Sequence, residues 1–566
     1  MRTRSWRRCA WVIPVVLLAV WAGLPRAAQG QPPADANANA PTGAQLAERL
    51  RAMEEANRRL SERLEKSTRD HDEQIRQLMD RLGTGNRGSN NASNASNASN
   101  SSNASNSSET NPTASPPGQT SPASDIQQTS GREGATSTTP GAPSSPVPGY
   151  LDLDITAPTR LPFRGSFGPG FMFQTEDEAY RLQIHYESQV EGRVWSEVDQ
   201  IPATNGMYLP RQRIFFNGNI TKPIEYEFAI NRGLNNLNLL NAFINIHFDD
   251  QFELRFGRYF TPFLYEQYAV SNYWLLTPER SLYSTNVGLN RQFGLMAWGY
   301  LFEKQLDYAA GLFNGTRNSF ENLDKEVDFV AYLNARPFQN EAMPQFLRKL
   351  NVGSSFAFGK QNTEPTPVGF RVGAGSPDTA IPANATVPFL ILNPDVREHG
   401  DRLQGAVHLA YFYGGLSLLS EWQYGYTSYT REGQPNPTAV ALNGFYVAAG
   451  YFLTGEEVQQ RARVTPRRPF LPLNKEDEQG IGAWELVGRV SRLQLGNAIF
   501  SGGFADPDRW SNSATTTEVG LNWTWNDYMK IYMFWLNGRF GDPVRYRDDV
   551  SQQTVNMFWL RAQLYF

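Results

Sequence analysis

Residues 179–195 read AYRLQIHYESQVEGRVW, and the pattern in them leaves few folds open. Tyr180, Leu182, Ile184, Tyr186, Val190 and Val194 fall on one face of an extended strand. Arg181, Gln183, His185, Glu187, Gln189, Glu191 and Arg193 fall on the other. Period-two alternation marks a strand. A soluble sheet would turn its apolar face inward on a strand that is usually shorter. A run this long, with every charge on one side, suits a wall whose apolar face meets lipid and whose polar face lines a lumen. In NAFINIHF, Ala242, Ile244, Ile246 and Phe248 oppose Asn241, Asn245 and His247. In QFELRFG, Phe252, Leu254 and Phe256 oppose Glu253 and Arg255, and in AWELVGRV, Trp484, Leu486 and Val490 oppose Glu485 and Arg489.

About sixteen such segments lie at 178–195, 207–220, 224–232, 238–248, 251–260, 291–301, 306–313, 328–336, 350–360, 402–413, 415–426, 442–453, 483–493, 514–525, 529–537 and 554–566. Many are close to the roughly 9–11 residues of a tilted membrane strand. Short connections (NITKP, DDQ, FEKQ, YGG, WND) alternate with long ones such as 261–290 and 361–401. The alternation predicts a closed, all-β transmembrane barrel of about sixteen antiparallel strands, with both ends on the short-turn, periplasmic side. Aromatics make up 13% of a chain whose mean hydropathy is −0.49, a pairing that alternating strands explain. Trp298, Tyr300, Trp422, Tyr424, Trp523, Trp525, Trp535 and Trp559 are expected to form aromatic girdles.

The last strand must meet the first. In FWLRAQLYF, Phe558, Leu560, Ala562 and Leu564 share a face and lead to Phe566, while Trp559, Arg561, Gln563 and Tyr565 share the other. A terminal Phe after alternating apolar residues resembles the insertion signal read by the barrel assembly machinery, so this segment is expected to be both closing strand and address.

Ahead of the barrel the chain changes character three times. MRTRSWRR, then CAWVIPVVLLAVWAGL, then Ala28-Gln29-Gly30 compose a signal peptide over 1–30, its apolar run short of the roughly 20 residues that span a bilayer. Cys9 lies within it, which leaves no cysteine for disulfides, thiol nucleophiles or zinc–thiolate sites downstream. Residues 44–82 lack Gly and Pro, and Leu46, Leu50, Met53, Asn57, Leu60 and Leu64 step as a coiled-coil seam. An eleven-residue step then leads to Ile75, Leu78 and Leu82, a stutter that locally unwinds the supercoil. Residues 83–148, from the Asn-Ala-Ser repeats to GAPSSPVPG, offer no apolar face and read as a disordered linker. The barrel domain is then 149–566.

The stretch LRFGRYFTPFLYEQYAVSNYWLLTPERSL (254–282) resembles the phosphate-selective porin O and P family. Gly257, Pro262-Phe263, Glu266, Ser271 and Glu279-Arg280-Ser281 carry the likeness, with GLFNG (311–315), GFYVAAGYFLTGE (444–456) and GAWELVGRVSRL (482–493) following in order. The resemblance implies a sixteen-stranded homotrimeric outer-membrane channel in which the loop after the fifth strand, 261–290, folds inward as a constriction. It also implies that one periplasmic turn enters the lumen, which would bring in Arg461, Arg463, Arg467 and Arg468 from 456–479. The coiled coil is an addition to the basic pattern, and its expected place is the periplasm.

Strand parity nominates the lining. Arg181, Arg193, Arg211, Arg213, Arg255, Arg489 and Arg561 fall on the polar face; Arg258 and Arg280 border or lie on the loop, and Arg291 opens the next strand. A guanidinium suits phosphate because its fork of donors stays charged. The competing reading of each is an ordinary ion pair with Glu187, Glu191, Glu253, Glu485 or Glu518. Setting aside the first 148 residues, which hold 16 Lys+Arg and 13 Asp+Glu, leaves 36 basic and 43 acidic residues, a net of −7. That balance leaves open a channel for phosphate-like anions, a general or carbohydrate porin, and an envelope tether that uses the barrel as anchor; at about 1.5 Å per residue the 44–82 helix would reach about 58 Å. It gives no basic face for nucleic acid. An enzyme would need a nucleophile and base, and no local pattern singles out His185, His247, His399 or His408. The expected partners are outer-membrane lipid and small anionic or polar solutes, with no cofactor or metal.

Overall fold

Each of the alternating segments forms a strand. In this computed structural model the described residues are 162–566, apart from 197, 235, 374–382, 435 and 473–478. The signal peptide expected at 1–30, the coiled coil at 44–82 and the linker at 83–148 lie outside them. A hairpin of β1 (Phe163–Gly168) and β2 (Gly170–Thr175) comes first. The wall follows: β3 (Tyr180–Trp195), β4 (Gly206–Ile220), β5 (Ile224–Gly233), β6 (Asn236–Asp249), β7 (Phe252–Phe260), β8 (Arg291–Leu301), β9 (Leu306–Phe313), β10 (Asp328–Ala335) and β11 (Leu350–Thr363). Short β12 (Gly369–Val372) and β13 (Val387–Ile391) pair within the next loop. The wall resumes with β14 (Val396–Tyr413), β15 (Leu416–Arg431), β16 (Thr438–Phe452), β17 (Ala483–Leu495), β18 (Ser513–Thr524), β19 (Met529–Arg547) and β20 (Val550–Tyr565).

Among the described residues sixteen antiparallel strands, β3–β11 and β14–β20, close on themselves. β20 pairs with β3 from Met557↔Trp195 to Tyr565↔Glu187. Closure leaves no unpaired edge for lipid to meet. The faces follow the sequence alternation: Val194 is 55% exposed and Phe558 62%, whereas Glu191 and Arg561 are each 1%. The apolar face therefore points out and the charged face in.

Several strands outrun their sequence-predicted ends on the long-loop side. β14 begins at Val396 rather than 402, β15 runs to Arg431 and β19 to Arg547. Beyond the apolar band the outward positions turn polar (Arg397, His399, Thr430, Arg539), so the alternation signal stops while the backbone ladder continues. The connections are also less strictly sorted than expected. On the long-loop side, 234–235 and 548–549 are two-residue turns, and on the other side 336–349 and 453–482 are long.

The β1–β2 hairpin has no counterpart in the sequence reading. Past the end of β20, β2 takes over the free edge of β3, Phe171 opposite Ile184 and Gln174 opposite Arg181. Between them Phe566 exchanges both backbone hydrogen bonds with Tyr186, at 3.0 and 3.2 Å. Its ring lies 6.0 Å from those of Phe167 and Phe171 and 5.8 Å from Tyr186.

Three of the expected girdle residues face inward. Trp298 shares parity with Met296 and donates to Asn245 Oδ1 at 2.9 Å; Tyr300 lies two residues on, and Trp559 donates to Glu191 at 2.8 Å. Trp422, Tyr424 and Trp535 are exposed on the outside, and Trp523 stacks on Trp484 at 4.9 Å.

Candidate functional site

The loop 261–290 lies inside the barrel. It holds two single-turn helices, α1 (Tyr265–Tyr268) and α2 (Leu282–Asn286), too short to be stable by themselves. What orders them is contact with the wall. Phe263, Leu264, Leu275, Leu276, Leu282 and Tyr283 are buried in one cluster with the inward-facing Met296, Tyr332, Tyr446 and Tyr532. A fully buried Leu or Phe stabilises by about 1.5–3 kcal/mol. Two glycines of the GFYVAAGYF stretch make the room. A Cβ on Gly444 would stand 2.7 Å from the Tyr283 ring, and one on Gly450 would stand 2.5 Å from Leu276.

A loop buried this way must satisfy its backbone polar groups. The polar lumen wall does so. Glu421 on β15 accepts from the backbone N–H groups of Tyr265 and Glu266, and Ser491 Oγ accepts from Leu282 N at 2.9 Å. Carbonyls of the loop receive Gln563 at Tyr273 (3.1 Å), Lys530 at Leu275 (3.0 Å), Asn522 at Leu276 (2.9 Å) and Arg561 at Pro278.

Two chains of alternating charge complete the attachment. Arg211 gives Nη1 and Nη2 to the two oxygens of Glu279, at 2.7 and 2.6 Å, and Nη1 also reaches Gln189. Arg561 bridges Glu279 (2.6 Å) and Glu191, and Glu191 in turn holds Arg193 at 2.6 Å. In the second chain Arg489 bridges Glu266 (3.0 Å) on the loop and Glu518 (2.8 Å) on the wall. Burial pushes the Glu279 carboxyl up, but Arg211 and Arg561 outweigh it and hold it at about 2. Removing either sign from such a buried chain strands the other, which costs far more than the intact pair contributes.

With the loop in the lumen, two cavities remain beside it. One cavity of about 720 Å³ is bordered by Arg255, Lys304, Arg336, Arg348, Lys349 and Arg461, with Asp307 as its one lining carboxylate among the described residues. A second of about 380 Å³ is bordered by Arg213, Arg291, Phe260, Tyr273 and Tyr565, and the two share Tyr268 and Ala269.

A long hydrophilic lumen narrowed by an inserted loop is the architecture of a channel. The family profile described as phosphate-selective porin O and P matches residues 180–566. The chain belongs to that family. No curated protein matches it. Solved structures with likeness to it include the in-vitro folded trimer form of OmpT from Vibrio cholerae, at 10% identity, covering 69% of this chain and 100% of that chain at a TM-score of 0.41. The outer-membrane channel DcaP of Acinetobacter baumannii is 10% identical, covering 70% and 99% at 0.41, and an anion-selective porin from Comamonas acidovorans is 10% identical, covering 68% and 99% at 0.39. The protein is an outer-membrane channel.

In this porin the sequence-nominated arginines separate into groups. Arg193, Arg211, Arg489 and Arg561 meet at the loop through Glu191, Glu266, Glu279 and Glu518. Arg213 pairs with Glu187 at 3.2 Å. Arg280 does not face a pathway as a bare charge. It bonds to the carbonyls of Glu266 and Val270 and to Asn272 Oδ1, all within its own loop. Arg291 lies over the ring of Phe260 at 3.6 Å and donates to Asn241. Arg258 gives its guanidinium to the carbonyls of Leu239, Arg291 and Ser319 and lies over Phe320. Arg255 is held by the rings of Phe243 and Trp298, at 4.3 and 4.9 Å, and Arg181 stands half-buried at the short-turn rim.

Of the four arginines expected from the 456–479 turn, Arg461 reaches the lumen, where it bonds to Trp274 O and Glu485. Arg463 stays at the rim beside Asp527, and Arg467 is 60% exposed next to Glu457. The wall groups that hold the loop backbone, Glu421, Ser491, Asn522, Lys530 and Gln563, were missed as a set. Their signal was inward parity opposite no apolar need, readable only once the loop's place is known.

Proposed function

We propose that this porin passes small hydrophilic solutes by passive diffusion, with a preference for anions such as phosphate. The observation that carries the preference is the composition of the larger cavity, six basic side chains against Asp307 among the described residues. Some of that charge is compensated: Arg336 pairs with Asp307, Lys304 with Asp250 at 3.0 Å and Arg461 with Glu485 at 2.6 Å. Arg255, Arg348 and Lys349 are held by rings, carbonyls or position rather than by carboxylates among the described residues. In a narrow lumen with low-dielectric walls such charges raise the local anion concentration. The net of −7 over 149–566 includes lumen carboxylates that are already engaged, among them Glu187, Glu191, Glu279, Glu485 and Glu518, so it does not measure the charge offered to a solute.

Planar-bilayer conductance of the purified channel tests the reading. Phosphate and chloride should carry most of the current in a salt gradient, and Arg348→Gln with Lys349→Gln should shift the reversal potential toward cations. Equal permeability to potassium and chloride in the wild type, with a neutral sugar passing as freely as phosphate, would overturn the anion preference.

The remaining assignments belong to the same proposal. The order is a signal peptide at 1–30, a periplasmic coiled coil at 44–82, a linker at 83–148 and the barrel at 149–566, in a homotrimer inserted by the barrel assembly machinery. Family membership supports the trimer. The arginines Arg181, Arg193, Arg211, Arg213, Arg255, Arg258, Arg280, Arg291 and Arg489 keep their role as candidates, Arg255 as a cavity liner and Arg211 and Arg489 as holders of the constriction.

A further inference from the structure

The outer face of β17–β20 changes character along one line. Its lower cross-strand rows are apolar: Leu486 pairs with Leu521, Met533 and Leu560 in sequence, and one row higher Gly488 aligns with Val519, Trp535 and Phe558. The next row is Val490, Thr517, Asn537 and Asn556, with Asn537 donating to Asn556 at 2.9 Å. Above it the register sets Arg492, Thr515, Arg539 and Thr554 side by side.

Both arginines point out of the barrel. Their neighbours in sequence, Ser491, Leu493, Gly538 and Phe540, are buried on the inner side. Arg539 is exposed, and Arg492 is half-buried with one contact to Gln494 Oε1 at 3.3 Å. Two strand spacings of about 4.8 Å put their backbones about 10 Å apart, with the Thr515 hydroxyl between them. The acidic residues of this part of the wall, Glu485 and Glu518, face the lumen and are engaged there. Two guanidiniums, three hydroxyls and two carboxamides thus stand on the outside, directly above a band that ends in Trp535 and Phe558.

We propose that this patch docks the phosphate-bearing headgroups of lipids in the outer leaflet. Position supplies the first argument: the row is where an apolar band gives way to polar side chains, the depth at which headgroups lie. Charge supplies the second: guanidiniums bind phosphate oxygens with two parallel hydrogen bonds, and the outward positions of these rows hold no carboxylate to compete. The acyl chains would lie along Leu486, Leu521 and Trp535, so the ligand is a lipid rather than free phosphate. The inference rests on the barrel lying in the outer membrane and is independent of what passes through the lumen.

The test uses the full chain in nanodiscs of a zwitterionic phospholipid, doped with a bis-phosphorylated glucosamine-disaccharide lipid or its dephosphorylated form. Native mass spectrometry counts the glycolipids retained per barrel. The wild type should retain the phosphorylated form preferentially, and R492Q/R539Q should lose at least about tenfold of that retention, the scale of one or two charge-assisted bonds. R492K/R539K should keep part of it. Heat-modifiable gel mobility confirms that each variant is folded, and the single variants R492Q and R539Q carry the comparison if the double one is not. Equal retention by wild type and R492Q/R539Q, or equal retention of the dephosphorylated lipid, would overturn the proposal. So would displacement of the lipid by inorganic phosphate alone, or cross-linking of Arg539→Cys to a second barrel.

Discussion

Glu279 takes the two terminal nitrogens of Arg211 on its two carboxylate oxygens, at 2.7 and 2.6 Å, and its Oε1 also accepts from Arg561 at 2.6 Å. One loop carboxylate therefore ties together the second and last strands of the wall. The arginines that give the lumen its basic character are, at this level, the fasteners of the loop.

Acid should loosen that fastening. The Glu279 carboxyl is depressed from 4.5 to about 2 against the opposing effect of burial, because Arg211 and Arg561 favour its charged form. A depressed folded-state value contributes stability that is complete above the unfolded value and is lost as pH falls toward the folded one. The loop should stay closed at pH 5 and above, and loosen progressively between about 4.5 and about 2. Single-channel conductance should rise across that window in the wild type. In Glu279→Gln it should already be high at neutral pH and lose this dependence, and the barrel should be less stable by about 3–5 kcal/mol. A wild-type conductance that is flat across the window would contradict this.

Arg280→Ala separates a charge from a pin. Arg280 bonds inside its own loop, to the carbonyls of Glu266 and Val270 and to Asn272. The expected outcome is a larger or noisier conductance with little change in the reversal potential. A shift toward cations at constant conductance would instead return Arg280 to the pathway.

Gly444→Ala tests how closely loop and wall approach. The added methyl would meet the Tyr283 ring at 2.7 Å, and the carbonyl of Arg492 at 3.1 Å closes off the other direction. Overpacking of this kind typically costs about 1–3 kcal/mol. The variant should fold to a barrel of lower thermal stability with altered conductance. Unchanged values for both would place the loop elsewhere.

The seam between first and last strands should depend on aromatic contacts at its lower end. Deleting Phe566 removes two backbone hydrogen bonds to Tyr186 and a ring packed near Phe167 and Phe171. The yield of heat-modifiable barrel should fall markedly, while any pores that form should conduct normally. Phe167→Ala with Phe171→Ala should weaken the folded barrel less, because the hairpin's ladder to β3 remains. Normal yield after the deletion would remove the assigned role of Phe566.

The segment 44–82 should self-associate and be helical when isolated. The expected seam of Leu46, Leu50, Met53, Asn57, Leu60 and Leu64 is apolar at every position but Asn57, and such a stripe favours association. Analytical ultracentrifugation should find an oligomer, with a trimer matching the barrel; a monomer would refute the reading.

Strand number, strand faces and closure were legible in the sequence because each rests on a local rule, whereas the inward course of 261–290 came only with the family resemblance. A strand that meets lipid on one side and water on the other must alternate, so Val194 and Arg193 declare their faces without knowledge of any neighbour. Parity likewise put Arg211, Arg489 and Arg561 in the lumen. It could not say what they do there. Whether a lumen arginine presents its charge to a solute or gives it to a carboxylate depends on a partner remote in sequence: Glu279 lies 68 residues from Arg211 and 282 from Arg561. Trp559 shares its parity with Arg561 and Trp298 with Met296, so the alternation already opposed an outward girdle place for them; what it could not supply were their partners Glu191 and Asn245 on other strands. Alternation along the chain dictates which side of the wall a strand residue takes, because that depends on solvent alone. Which charges remain for a passing ion is set by the folded barrel, because an ion pair weakens with every ångström of separation and the fold alone sets those distances.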